Sequence, residues 1–260
     1  MFFTGTPSVL AGRYKHIASN IIYGKNKKCK TFLITSCMIN ECKSSVVTNL
    51  GLCLARLGYK VLLIDGDLML PSLERQFGRE MQKEGFLDFL QRNEDPTKAI
   101  ISPVAGLKNL HLMVPGTTSE TYVSFVRDNA SLAVMLDNLK KTYDYIFFDV
   151  PPFEYAPEIW KLIKQVDTTF LCVRMNICTK ESFSILLAQL SDCEEKIGGV
   201  IATGCLLSNV ESSTSPYNKY YYRSHDNKRT RKEEIFVESE RKARQIFKSE
   251  MKSRERSMRK

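Results

Sequence analysis

No stretch of this 260-residue chain approaches the roughly 20 consecutive apolar residues that a bilayer-crossing helix needs, so no such helix is expected. The opening Met1-Phe2-Phe3-Thr4 lacks a basic segment followed by a long apolar one, and a signal peptide is not expected either. Among the eight cysteines (29, 37, 42, 53, 172, 178, 193 and 205) there is no C-x-x-C pair. That leaves little support for a zinc site. A reducing cytosol fits better, with cysteine packing as a small hydrophobe inside strands and helices. Strong charge is also missing from most of the chain. Between Arg223 and Lys260 there are 14 Lys/Arg and 7 Asp/Glu, which is +7 of the total +9 and leaves only +2 for the first 222 residues. This argues against the whole protein being a nucleic-acid binder and points to one local partner surface at the C-terminal end; no specific nucleic acid is expected. Apolar content of 43% and charged content of 26% are ordinary for a globular protein with one sizeable core.

What is present is an alternation. Apolar runs read as strands at Thr31–Thr35, Lys60–Ile64, Leu110–Val114, Tyr145–Asp149, Thr168–Val173 and Gly199–Ala202. Helical patterns lie at Leu10–Tyr23 ahead of them, and at Ser44–Leu57, Phe86–Arg92, Ser119–Lys140, Glu158–Lys164 and Lys180–Lys196 between them. Continuous apolar strands alternating with helices predict an α/β fold, a three-layer sandwich with a mostly parallel sheet and helices on both faces. Right-handed crossovers then gather the carboxyl ends of the strands on one edge, where ligands usually bind. Lys43, Asp65, Asp67, Asp149 and Arg174 all fall at or just beyond such ends. After Ala202 the order weakens: Ser208–Pro216 is turn-rich, and Tyr217, Tyr220, Tyr221 and Tyr222 crowd together. A charged helix is expected from Arg229, with Phe236, Ala243, Phe247, Met251 and Met258 along one stripe. The domain reading is 1–224 as the α/β unit ending in the tyrosine cluster, and 225–260 as a basic helical tail.

Residues 31–71 carry the chemistry. A Lys43-Ser44 pair at a strand-to-helix turn is the phosphate-grasping arrangement of P-loop proteins. The ammonium reaches the β/γ-phosphates, the hydroxyl ligates Mg²⁺, and N–H groups at the helix start face the anion. Glycine, the usual residue before the lysine, is absent; the position is Cys42. Strand-end carboxylates Asp65, Asp67 and Asp149 offer oxygen ligands to magnesium, and one freed from the metal could accept a proton from an attacking hydroxyl. Taken singly, each carboxylate is as easily a turn former or a helix cap.

The order Lys43-Ser44, then Leu62–Ser72 with Asp65-Gly66-Asp67 and Pro71, then Tyr143–Pro152 with Asp149, resembles the bacterial tyrosine kinases. These are P-loop kinases of capsule and exopolysaccharide synthesis, and the resemblance runs from about Pro7 to Tyr222. It implies ATP and Mg²⁺ as cofactors, with Asn40, Glu41, Cys42, Lys43, Ser44, Ser45 and Arg174 around the nucleotide. It further implies Ser44, Asp67 and Asp149 at the metal, and Asp65 positioning or deprotonating the substrate tyrosine. The matching cluster Tyr217, Tyr220, Tyr221 and Tyr222 would be the autophosphorylated acceptors, presented to a neighbour in a homo-oligomeric ring. A membrane-bound activator or chain-length regulator is the implied partner. The location is then cytoplasmic, at the inner face of the membrane, with contact through that partner or the basic tail.

Four departures accompany the likeness. The family's Gly-Glu-Gly-Lys-Ser is Asn40-Glu41-Cys42-Lys43-Ser44, the arginine between Asp67 and Pro71 is Met69, and the N-terminal glutamate of the ring motif is Gly12. An asparagine near the adenine corresponds to Thr203. They motivate a second reading, a catalytically weakened or inactive pseudokinase scaffold. A third is a MinD/ParA-like partitioning ATPase, although residues 36–41 hold none of the early lysine such loops commonly carry.

Overall fold

Every residue from Thr31 to Ile34 is buried, because helices cover this strand from both sides. The computed structural model describes residues 9–80, 84–92, 94–116, 129–156 and 159–205. In chain order these give α1 (Val9–Tyr23), β1 (Thr31–Ser36), α2 (Lys43–Arg56), β2 (Val61–Asp65), α3 (Leu73–Gln76), α4 (Phe86–Gln91), β3 (Ile100–Ile101) and β4 (Leu110–Met113). There follow α5 (Asn129–Thr142), β5 (Tyr145–Asp149), α6 (Ile159–Gln165), β6 (Thr168–Arg174), α7 (Lys180–Gln189) and β7 (Ile197–Thr203). The seven strands form one sheet in the order β3-β4-β2-β5-β1-β6-β7. All neighbours run parallel except the two-residue β3, which pairs antiparallel with β4.

Two apolar clusters pack the two faces. One includes Leu33, Ile146, Phe148 and the inner sides of α5, α6 and α7; the other includes Phe32, Phe147 and the inner sides of α1 and α2. Phe32 stacks on Phe147 at 5.0 Å and on Phe170 at 5.8 Å, tying the adjacent strands β5, β1 and β6 together. Helix α2 lies close on the sheet because Gly51 has no side chain: a Cβ there would sit 2.7 Å from Leu63 Cδ2. That close approach fixes where the helix N-terminus meets the strand ends.

The six expected strands are present within a residue or two. The short β3 was not expected, since two residues show no periodicity. The single helix expected over Lys180–Lys196 is corrected: α7 ends at Gln189 and a 3-10 turn, Ser191–Lys196, follows. Leu190 and Cys193 are both buried, and Cys193 is non-helical (φ −137°, ψ 32°) as the chain swings straight into β7. The first part of the helix expected over Ser119–Lys140, the tyrosine cluster and the tail 225–260 lie outside the described residues.

Candidate nucleotide site

Between Ser36 and Lys43 the loop makes two left-handed turns, at Asn40 (φ 62°) and Cys42 (φ 65°, ψ 23°). Asparagine tolerates this conformation. Cysteine does so at a cost of about 1–2 kcal/mol. The loop is held from beneath by Glu41, whose fully buried side chain points inward. Its Oε2 accepts from the Met38 N–H (2.7 Å) and its Oε1 from the Arg174 N–H (2.9 Å). Arg174 Nη1 donates to the Asn40 carbonyl (2.9 Å), and Thr203 Oγ1 donates to the Glu41 carbonyl (3.1 Å). The ends of β6 and β7 therefore clamp the loop. Held this way, α2 starts at Lys43 with no acidic residue in its first turn, and its first N–H groups have no acceptor within the helix. Such a terminus favours an anion.

The loop forms one wall of a cavity of about 490 Å³. Residues 39–45 line that wall, Asp67, Met69, Leu70 and Ser72 line the opposite one, and Pro151, Pro152, Tyr155 and Arg174 complete it. This volume lies in the usual range for small-molecule sites. Lys43 is buried, and among the described residues no hydrogen bond or ion pair engages its ammonium. The Ser44 hydroxyl accepts from Ser72 Oγ (2.8 Å). Half-buried Asp67 accepts from the Leu70 N–H (3.0 Å) and faces the cavity.

The other two carboxylates lie behind this wall, where β2 and β5 end as register partners at Asp65 and Asp149. Gly66 lets the strand ends close: its N–H donates to the Asp149 carbonyl (2.7 Å), and a Cβ at that position would meet the same oxygen at 3.1 Å. Asp65 accepts from the N–H groups of Asp67 (3.3 Å), Ser72 (2.9 Å) and Leu73 (2.9 Å), and so shapes the turn that presents Asp67. Burial pushes its pKa up to about 7, against the pull of those N–H groups. Asp149 is completely buried, and among the described residues its oxygens make no hydrogen bond of good geometry, the Ser44 hydroxyl being the nearby donor. Burial first, then the neighbouring Asp65, raises its pKa well above the carboxylate range; the nearby Ser44 hydroxyl and Lys43 ammonium pull the other way.

Two uncommitted carboxylate oxygens beside a serine hydroxyl, with Asp67 at the cavity wall, form a hard-oxygen donor set that fits a divalent cation bound directly or through water. A cation favours the ionised carboxylate. Because burial and the neighbouring Asp65 raise the Asp149 pKa and a bound cation lowers it, adding magnesium nucleotide is expected to release protons. Calorimetry in buffers of differing ionisation enthalpy reads the release directly. Proton uptake, or the same release from Asp149→Asn, would contradict the assignment.

Of the residues singled out from sequence, Asn40, Cys42, Lys43, Ser44, Ser45, Asp67 and Arg174 come together around the cavity. Glu41 is also there but turns its carboxylate away, and Thr203 braces the loop through the Glu41 carbonyl. Ser72 was missed, although it joins Ser44 to the Asp65 turn. A signal existed, since Ser72 after Pro71 and before Leu73-Glu74 reads as a helix start. Met69 stands at the rim with 67% of its surface exposed.

A family model described as an AAA domain matches residues 41–197. The tyrosine-protein kinase CpsD of Streptococcus pneumoniae serotype 4 is 25% identical over 204 residues, 78% of this chain and 86% of that protein. The kinase domain of the Escherichia coli tyrosine kinase ETK superposes with a TM-score of 0.66 at 20% identity, covering 74% of each chain. A septum site-determining protein MinD of Nephroselmis olivacea is 30% identical, but over only 125 residues, 47% of this chain and 44% of that protein.

Proposed function

The chain belongs to the AAA-domain family, and on that premise we propose that it is an ATP-dependent protein tyrosine autokinase of the bacterial P-loop type, regulating capsular or exopolysaccharide synthesis. One observation carries the reading: Lys43, Ser44 and Asp67 converge on a single cavity at a helix N-terminus, with the free oxygens of Asp149 behind them. Lys43 places its ammonium on the β/γ-phosphates, while the N–H groups of Lys43, Ser44 and Ser45 hold phosphate oxygens. Ser44, Asp67 and Asp149 would hold Mg²⁺, directly or through water, and the cation would supply charge neutralisation for the phosphoryl group. Asp65, expected to position or deprotonate the tyrosine, has its oxygens engaged by three backbone N–H groups. It positions, through the turn, and Asp67 has the solvent access needed to meet a tyrosine hydroxyl.

The acceptors are Tyr217, Tyr220, Tyr221 and Tyr222, delivered by another copy of the chain, with a membrane-bound protein as activator. No helix among the described residues is long and apolar enough to cross a membrane, in keeping with reliance on such a partner. Incubating the full chain with ATP and Mg²⁺ is expected to place phosphate on these four tyrosines, read by peptide mass spectrometry. The variant with all four changed to phenylalanine should bind nucleotide normally and lose the label. Phosphotyrosine elsewhere, undiminished in that variant, would remove the acceptor assignment.

Two features favour the second reading, a pseudokinase scaffold. Cys42 is held left-handed where glycine is usual, and exposed Met69 occupies the position of the missing arginine. Normal nucleotide binding with no phosphotyrosine on any residue would select it. The partitioning-ATPase reading has the weaker support: the sequence match to the Nephroselmis olivacea MinD covers under half the chain, and residues 36–41 contain no lysine.

A further inference from the structure

On the inner side of the phosphate loop, Cys37 Sγ, Cys178 Sγ and a Glu41 carboxylate oxygen all lie within 4.8 Å of one another. Cys37 directly follows β1 and is buried with 4% exposure. Cys178 is half-buried in the turn between β6 and α7, where the N–H groups of Ile177 and Cys178 both donate to the Arg174 carbonyl. Both thiols are free, 141 positions apart in the chain, and nucleotide chemistry uses neither. Two thiols brought together beneath a functional loop call for a reason.

We propose that Cys37 and Cys178 form a reversible dithiol–disulfide site that reacts with a two-electron oxidant of the peroxide class and sets the geometry of the phosphate loop. A metal is the competing use of the same atoms. Against it, both Glu41 oxygens are already engaged by the Met38 and Arg174 N–H groups, so ligation would break the loop's own brace. The pair divides the work by exposure. Cys178 reaches solvent and meets the oxidant first, while Cys37 is shielded and resolves. The hydrogen bond to Cys178, and then burial, raise the pKa of Cys37 far above that of a free thiol, which keeps it protonated until then.

The chemistry balances in two steps. The Cys178 sulfur attacks one peroxide oxygen, the O–O bond breaks, and water leaves with the thiol proton, giving a sulfenic acid. The Cys37 sulfur then attacks the Cys178 sulfur, the S–O bond breaks, and a second water leaves with the Cys37 proton. Two thiols are oxidised and one peroxide is reduced to two waters. Bonded sulfurs stand about 2.05 Å apart. Closure therefore draws the start of the loop toward the 174–178 turn, and the Glu41 brace and the Arg174–Asn40 hydrogen bond join the same two segments. Nucleotide affinity is expected to fall about tenfold on oxidation and to return on reduction.

The test treats the full chain with hydrogen peroxide, alkylates remaining thiols after denaturation, and maps peptides by mass spectrometry. The expected result is a Cys37–Cys178 linked peptide that dithiothreitol reverses and that Cys178→Ser abolishes. Cys178 is the residue to change because it is the less buried partner. In parallel, oxidised natural chain should bind ATP more weakly, while peroxide-treated Cys178→Ser should not change. The site is overturned if both thiols remain free, if either pairs with another cysteine, or if Cys178 passes to sulfinic acid unlinked. A disulfide that forms without altering affinity overturns the coupling to the loop. The peptide map reads this chemistry whether or not the chain is a kinase.

Discussion

The Lys43→Met variant is expected to bind ATP about 100-fold more weakly than the natural chain while unfolding at the same temperature or above it. The first half follows from what the ammonium is arranged to do. It is buried at the cavity wall, and among the described residues it makes no hydrogen bond or ion pair, although its charge is felt by Asp149. Its positive charge is therefore available to a phosphate in a low-dielectric setting. Hydrogen bonds to charged groups contribute about 1.5–3 kcal/mol, and losing the partner of a buried charge costs about 3–5 kcal/mol. A loss near 3 kcal/mol corresponds to about 100-fold in affinity. The second half separates function from folding. Methionine has similar length and is apolar, so the substitution removes a buried charge without leaving a hole. A variant that binds ATP as well as the natural chain would show that Lys43 is a structural residue. A variant that binds poorly because it is unfolded would show that the ammonium supports the fold.

Cys42→Gly is expected to gain about 1–2 kcal/mol, roughly 5- to 30-fold if expressed wholly in nucleotide affinity. Cys42 sits at φ 65°, ψ 23°, directly before the first residue of α2. A Cβ in this region crowds the backbone, whereas glycine enters it freely. Where the gain appears depends on the loop. If the loop relaxes without nucleotide, binding tightens; if Glu41, Arg174 and Thr203 hold it in place, the unfolding free energy rises instead. Both are measured on the same variant. No change in either would mean that cysteine is comfortable here, and the pseudokinase reading would lose its main support.

The sequence revealed the sheet well because parallel strands buried on both faces read as continuous apolar runs, as in Thr31–Ser36 and Tyr145–Asp149. That Cys42 replaces the usual glycine before Lys43 was also legible, while the left-handed turn it makes is visible only in the structure. The roles of individual acids were harder to read. Asp65 and Asp67 are two residues apart and look alike in sequence, yet one is fully buried on backbone N–H groups and the other faces a cavity. Only the path of the 66–73 turn distinguishes them. Glu41 misled for the same reason. Its neighbours Asn40 and Cys42 are both left-handed, and this turns the side chain between them inward to Arg174, 133 positions away. Likewise no local pattern could announce that Cys37 meets Cys178.

The central claim is that one polyphosphate cavity assembles from Lys43, Ser44, Asp67 and Asp149. A titration of the full chain with ATP, with and without Mg²⁺, tests it most directly. Saturable one-to-one binding that strengthens with Mg²⁺ and depends on Lys43 is the predicted result. Binding that is absent, or indifferent to both the cation and Lys43, would contradict it.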